Sequence, residues 1–148
     1  MELNRCAAVI GLLGGVLLLV NSCASDVPSD LDKAFEDAAS DSVAPSGSVS
    51  ITSKSYYSFY AYVSLSATDS IGVTAYCVSR YSYTPSSYSS CWTSGTSTTS
   101  LSRSSVSVYV SSGSGYKYVY AWFRDAAGNV SSRSYDYVYC YSYSKSCS

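Results

Sequence analysis

From Ser42 onward, few residues can support acid–base or metal chemistry. The carboxylates are Asp69, Asp125 and Asp136, the sulfurs are Cys77, Cys91, Cys140 and Cys147, and histidine is absent from all 148 residues. Without an imidazole, Ser-His-Asp and Cys-His nucleophilic arrangements are excluded. Asp69 and Asp125 lie in turn segments, Thr68-Asp69-Ser70 and Asp125-Ala126-Ala127-Gly128-Asn129. A two-carboxylate glycosidase pair is the one hydrolytic site they can form. Such a pair needs a pocket that raises one carboxyl's pKa, and no segment of the sequence provides one. We therefore expect no enzyme and no cofactor. Asp69 and Asp125 with Asn129 are also a weak calcium candidate, because Ca²⁺ takes six to eight oxygens and usually several carboxylates. The plainer reading is that each aspartate accepts hydrogen bonds from the amides of its own turn, with Gly128 supplying a positive φ.

The cysteines point to an oxidising compartment. Zinc sites favour a C-x₂₋₄-C spacing, whereas 13 residues separate Cys77 from Cys91 and 6 separate Cys140 from Cys147. An even number of cysteines in an exported domain reads as two disulfides. Four cysteines allow three pairings, and the local one, Cys77–Cys91 with Cys140–Cys147, needs the least assumption.

The N-terminus supports export. Cys6 to Val20 is apolar or glycine throughout. That stretch is short for a transmembrane helix and right for a signal-peptide core. It ends in Leu19-Val20-Asn21-Ser22-Cys23, which resembles the bacterial lipobox. The resemblance implies a signal peptide over 1–22, lipidation at Cys23 and anchoring in the envelope. Ala24 next to the cysteine implies the outer membrane. Residues 23–46 then read as an acidic linker, with a short helix compatible over 29–39. Between Cys23 and Asp41 lie the acids Asp26, Asp30, Asp32, Glu36, Asp37 and Asp41, against the single base Lys33. The bases of the folded part (Lys54, Arg80, Arg103, Lys117, Arg124, Arg133 and Lys145) are scattered along the chain, so no nucleic-acid partner is expected.

The elements that must position these residues are strands. From Ser48 the apolar period is two. Ala61, Val63, Leu65 and Ala67 alternate with Tyr60, Tyr62, Ser64 and Ser66; Val106, Val108 and Val110 alternate with polar residues; Val119, Ala121 and Phe123 alternate with Tyr118, Tyr120 and Trp122. Ile71–Ser79 has apolar residues on both faces, which suits a central strand or one near a sheet crossover. Turn signals follow at Thr68-Asp69-Ser70, at 111–115 and at 126–129. Short alternating strands between such turns predict one antiparallel sandwich over 47–141, with 142–148 as a tail.

Ala67-Thr68-Asp69-Ser70-Ile71-Gly72-Val73-Thr74-Ala75-Tyr76 and Tyr118-Val119-Tyr120-Ala121-Trp122-Phe123-Arg124-Asp125-Ala126-Ala127-Gly128-Asn129-Val130-Ser131 resemble two segments of bacterial immunoglobulin-like surface repeats. Cys91-Trp92-Thr93 sits where such domains often carry Trp-Thr. The resemblance covers roughly residues 46–140. It implies an all-β, Ig-like sandwich of about seven strands, with Phe123, Ala121 and Val119 pointing inward.

Tyr118, Tyr120 and Trp122 are then expected to point outward, joined by Tyr135, Tyr137 and Tyr139 if the last strand pairs alongside. All 17 tyrosines lie between Tyr56 and Tyr143. Tyrosine with serine makes a rigid, amphipathic contact surface. The six outward aromatics are therefore the candidate ligand-binding residues, for a glycan or a protein. The expected function is a non-enzymatic envelope or cell-surface module for adhesion or recognition. The alternative is a structural envelope lipoprotein that scaffolds or self-associates, its tyrosine pairs serving only to stabilise a sheet over a small core.

Overall fold

A computed structural model describes residues 12–13, 16–17, 33, 36–37, 40–55, 59–111, 113–141 and 146–148. The chain forms two compact units, Met1–Phe35 and Glu36–Ser148. In the first, β1 (Leu12–Leu13) pairs antiparallel with β2 (Val16–Leu17). Cys23, the expected lipidation position, lies outside the described residues. Of the linker, Lys33, Glu36, Asp37 and Ser40 have helical backbone. Among the described residues no helix is long and apolar enough to cross a membrane.

The second unit is built of antiparallel strands: β3 (Ser46–Ser55), β4 (Tyr60–Ser79), β5 (Trp92–Tyr109), β6 (Gly115–Asp125), β7 (Ser134–Tyr141) and β8 (Ser146–Cys147). The hydrogen-bonded order is β3-β4-β6-β7-β8, with β5 also on β4. β4 is the organising strand, and its two halves have different neighbours. Tyr60–Thr68 lies between β3 and the second half of β5, while Val73–Ser79 lies between the first residues of β5 and β6. The apolar residues on both faces of Ile71–Ser79 have this central position as their cause. The sheet folds over so that β3 packs against β6 and β7, although it has no ladder with either.

The register of β4 against β5 shifts between Thr68 and Val73, where Asp69 sits. Its Oδ1 accepts hydrogen bonds from Ile71 N at 3.0 Å and Gly72 N at 2.8 Å. Gly72 follows at φ 127°, a region that side chains rarely enter. The expected turn chemistry at Thr68-Asp69-Ser70 is therefore present, but it lies within a continuous strand instead of ending one. The Asp41–Pro45 segment belongs to the folded unit as well. Pro45 is buried, and the Asp41 carbonyl accepts from Asn129 Nδ2 at 3.0 Å. The last residues of the segment read as a linker thus make contacts with the strand-bearing unit.

The core follows the alternation. Ala61, Val63, Leu65, Ala67, Val119, Ala121 and Phe123 are all buried and lie in one cluster with Val49, Leu101 and Val108. Between β3 and β7 two side chains do the work of a ladder: Val49 N donates to Ser134 Oγ at 3.1 Å, and Ile51 N to Asp136 Oδ2 at 2.8 Å.

Gly47 shows how closely β3 lies on this core. A Cβ there would stand 2.4 Å from Phe123 Cε2 and 2.7 Å from the Ser66 carbonyl oxygen. The second atom is backbone and cannot swing away. Gly47→Ala is expected to destabilise the unit by about 1–3 kcal/mol, the usual cost of overpacking, read as a lower urea midpoint. An unchanged midpoint would show that β3 can lift from Phe123 without cost.

Candidate functional site

The register of β6 and β7 builds a ladder of tyrosines. Tyr116 faces Tyr139, Tyr118 faces Tyr137, and Tyr120 faces Tyr135. Their inward neighbours Val119, Ala121 and Val138 are buried, so the period of two puts these six rings on the outer face. The rings touch along and across the strands. Tyr118 stacks on Tyr120 with centroids 6.0 Å apart and an interplanar angle of 12°. Tyr116 meets Tyr137 and Tyr139 edge-on at 5.5 and 5.0 Å. Tyr116, Tyr118, Tyr135 and Tyr137 are exposed. Five of the six expected residues are therefore brought together, and Tyr116 joins them. Tyr141 extends the row through Tyr139 at 4.8 Å.

The sixth, Trp122, needs correcting. It belongs to the same row, 6.3 Å from Tyr120, but it is only 1% exposed. The reason is the Cys77–Cys91 disulfide. Cys77 is the cross-strand partner of Trp122, so the bridge folds the segment between the cysteines over the indole. Two arginines hold this flap from the sheet. Arg133 donates to the Ser82 carbonyl at 2.9 Å, and Arg124 to the Ser87 carbonyl at 2.9 Å. Trp92 Nε1 donates to the Ser86 carbonyl at 2.8 Å, and Arg124 stacks on the Trp92 ring at 4.7 Å. Trp122 Nε1 itself is buried without a hydrogen-bond partner, so no polar bond fixes the indole. A cavity of about 250 Å³ remains beside it under the flap. The second disulfide, Cys140–Cys147, holds β8 to β7. Both bridges follow the local pairing.

The flap also makes one wall of an open cleft. Arg80 and Tyr81 face Tyr116, Tyr118 and Tyr120 across a space of about 330 Å³, with Lys117 and Ser111 among the residues lining it. Arg80 is set between two rings, its guanidinium 4.7 Å from the Tyr81 centroid and 5.1 Å from that of Tyr109. It also donates to the Tyr81 hydroxyl. That bond raises the Arg80 pKa above its ordinary value; as in any arginine, the guanidinium is charged. Tyr81 stacks on Tyr83, and Tyr109 meets Tyr60. At the other end Arg133 lies over Tyr120 at 5.3 Å. No carboxylate lines the cleft. Arg80, Arg124 and Arg133, scattered in the sequence, all lie in or beside this aromatic face, whereas Lys117 shares the buried inward side of β6 with Val119. No local spacing marks Arg80 or Tyr109, because a distant strand and a loop bring them together.

The aspartates lie elsewhere. Asp41, Asp69 and Asp125 place carboxylate oxygens within 4.8 Å of one another. Asp69 is engaged with its own turn, as described. Asp125 is buried and accepts from Asn129 N and Nδ2, both at 2.8 Å. Asn129 therefore turns its donor, not its oxygen, toward Asp125. Asp41, missed in the sequence, joins the group because its segment docks on Asn129. Asp136 is spent on the amides of Ile51 and Tyr137. Asp69 and Asp125 hold their turns, while Asp41 Oδ2 is buried without a hydrogen-bond partner; the chemistry available on the aromatic face is stacking and hydrogen bonding.

No protein-family model, no curated protein and no solved structure matches this chain.

Proposed function

We propose that the protein is a non-enzymatic recognition module, exported, lipid-anchored at Cys23 in the envelope, that binds its ligand on the tyrosine face of β6 and β7. The observation that carries this reading is the paired ladder of exposed rings. Large contiguous apolar patches are uncommon on monomers and mark contact sites. Tyrosine presents such a surface with little side-chain entropy to lose and a hydroxyl at each rim.

The fold reading that goes with it is an Ig-like sandwich. Counting each half of β4 and β5 as a strand, together with β3, β6 and β7, gives the seven such a sandwich needs. The division of partners along β4 supports two packed layers.

The test is Tyr118→Ser combined with Tyr137→Ser in the full chain. Both side chains are exposed, so losing the pair costs about 0.2–1 kcal/mol of stability. Binding to glycan and envelope-protein arrays is expected to disappear while the melting temperature moves by a few degrees at most. Unchanged binding by this variant sinks the reading. Trp122 is not a usable probe of the face, because it is buried.

A further inference from the structure

We infer that the ligand of the tyrosine face is a carboxylated glycan, whose acid group is taken by Arg80 while its sugar rings lie on Tyr118 and Tyr120. This rests on the recognition reading above and names its ligand class. Charge is the first argument. The cation set against the rings is Arg80, no carboxylate lines the cleft, and the three acids of the folded strands and turns after Asp41 are engaged away from it.

Geometry is the second argument. Arg80 is held in place between the rings of Tyr81 and Tyr109. Its guanidinium has five N–H donors in a fixed plane, and the described bond to Tyr81 takes one. A planar fork of this kind matches a carboxylate with two parallel bonds, and pre-setting it reduces the ordering cost on binding.

The rings favour a sugar over a nucleobase. Tyr118 and Tyr120 stack nearly parallel at 6.0 Å, and Tyr137 and Tyr135 lie against them at 5.5 and 6.1 Å. The β7 rings thus close against the β6 pair from the side. What is offered is a continuous surface with hydroxyls at its rim. The C–H face of a pyranose carries slight positive charge and suits the negative face of an aromatic ring, and its hydroxyls can bond to the tyrosine rims.

The experiment uses the full chain and a panel of uronic-acid oligosaccharides, their methyl esters, sulfated oligosaccharides and single-stranded oligonucleotides. Acid oligosaccharides are expected to bind, and the methyl esters to bind about tenfold to a hundredfold more weakly, as for loss of a charged hydrogen bond. Arg80→Gln should bring the acid form down to the level of the ester. Arg80→Lys, which keeps the charge and loses the fork, should fall between them. Tyr118→Ser should weaken acid and ester alike. The inference is overturned if no acid oligosaccharide binds, if acid and ester bind equally, if Arg80→Gln has no effect, or if sulfated glycans or oligonucleotides bind better with the same Arg80 dependence. Tyrosine dependence without Arg80 dependence overturns the ligand class and leaves the recognition reading standing. Binding that ignores Tyr118 and Tyr137 overturns both.

Discussion

Trp122→Ala is expected to destabilise the folded unit by about 3–5 kcal/mol, the usual range for removing a buried tryptophan. At this size such a loss lowers the melting temperature by roughly 10 °C or more. The indole sits at the junction of the β6 row and the flap, 1% exposed and packed beneath the Cys77–Cys91 bridge. Its Nε1 has no acceptor, which gives a control. Trp122→Phe removes no hydrogen bond and keeps an aromatic ring, so it should cost less than half as much as alanine. Thermal and urea unfolding of the two variants measure the difference. Equal losses would mean that Nε1 has an acceptor in solution, and a negligible loss for alanine would mean that the flap does not pack on the indole.

The second large effect is expected from Cys77→Ala with Cys91→Ala. Opening a loop of this length forfeits about 3 kcal/mol of stabilisation in the chain-entropy account. The flap would then be held by Arg124, Arg133, the Trp92 bond and the stacking of Arg80 on Tyr109. The emission of Trp122 should shift to the red as water reaches it, and the cleft wall carrying Tyr81 should loosen. Any ligand that depends on Arg80 would lose affinity in the same variant. The matching change at Cys140 and Cys147 should cost less, because that loop is half as long and β8 has only two residues. If the order of the two effects were reversed, the tail and not the flap would be the main staple of the unit.

Much of this was legible in the sequence, for identifiable reasons. Alternation with period two put Val119, Ala121 and Phe123 inside because one face of β6 packs on the core, and a one-residue slip would have reversed every residue. The tyrosine face followed from the same count, and Tyr116 was missing only because the count began two residues late. Trp122 failed for a different reason. Its direction was right, but exposure depends on what covers a face, and the cover here is a disulfide-closed segment with no regular period. Residues 92–105 gave no strand signal, because β5 is a polar edge whose side chains are nearly all outside the core. Arg80 was invisible as a site residue for a similar reason. Its neighbours Tyr109 and Tyr116 come from strands about 30 positions further along the chain.

The two bonds from Val49 and Ile51 to Ser134 and Asp136 also have a consequence for how this molecule meets others of its kind. An unpaired strand edge is a template on which another chain can grow. Here the β3 margin is occupied by a hydroxyl and a carboxylate from β7, which use its amides without offering a continuing strand. The β7 margin is itself occupied at its far end by β8. Among the described strands, that leaves β5 as the long margin with pairing on one side only. That strand is rich in serine and threonine, interrupted by Ser105 at φ 58° and by Arg103. Sheet growth between molecules is thus closed off at one margin by borrowed side chains and discouraged at the other by an irregular backbone and a charge.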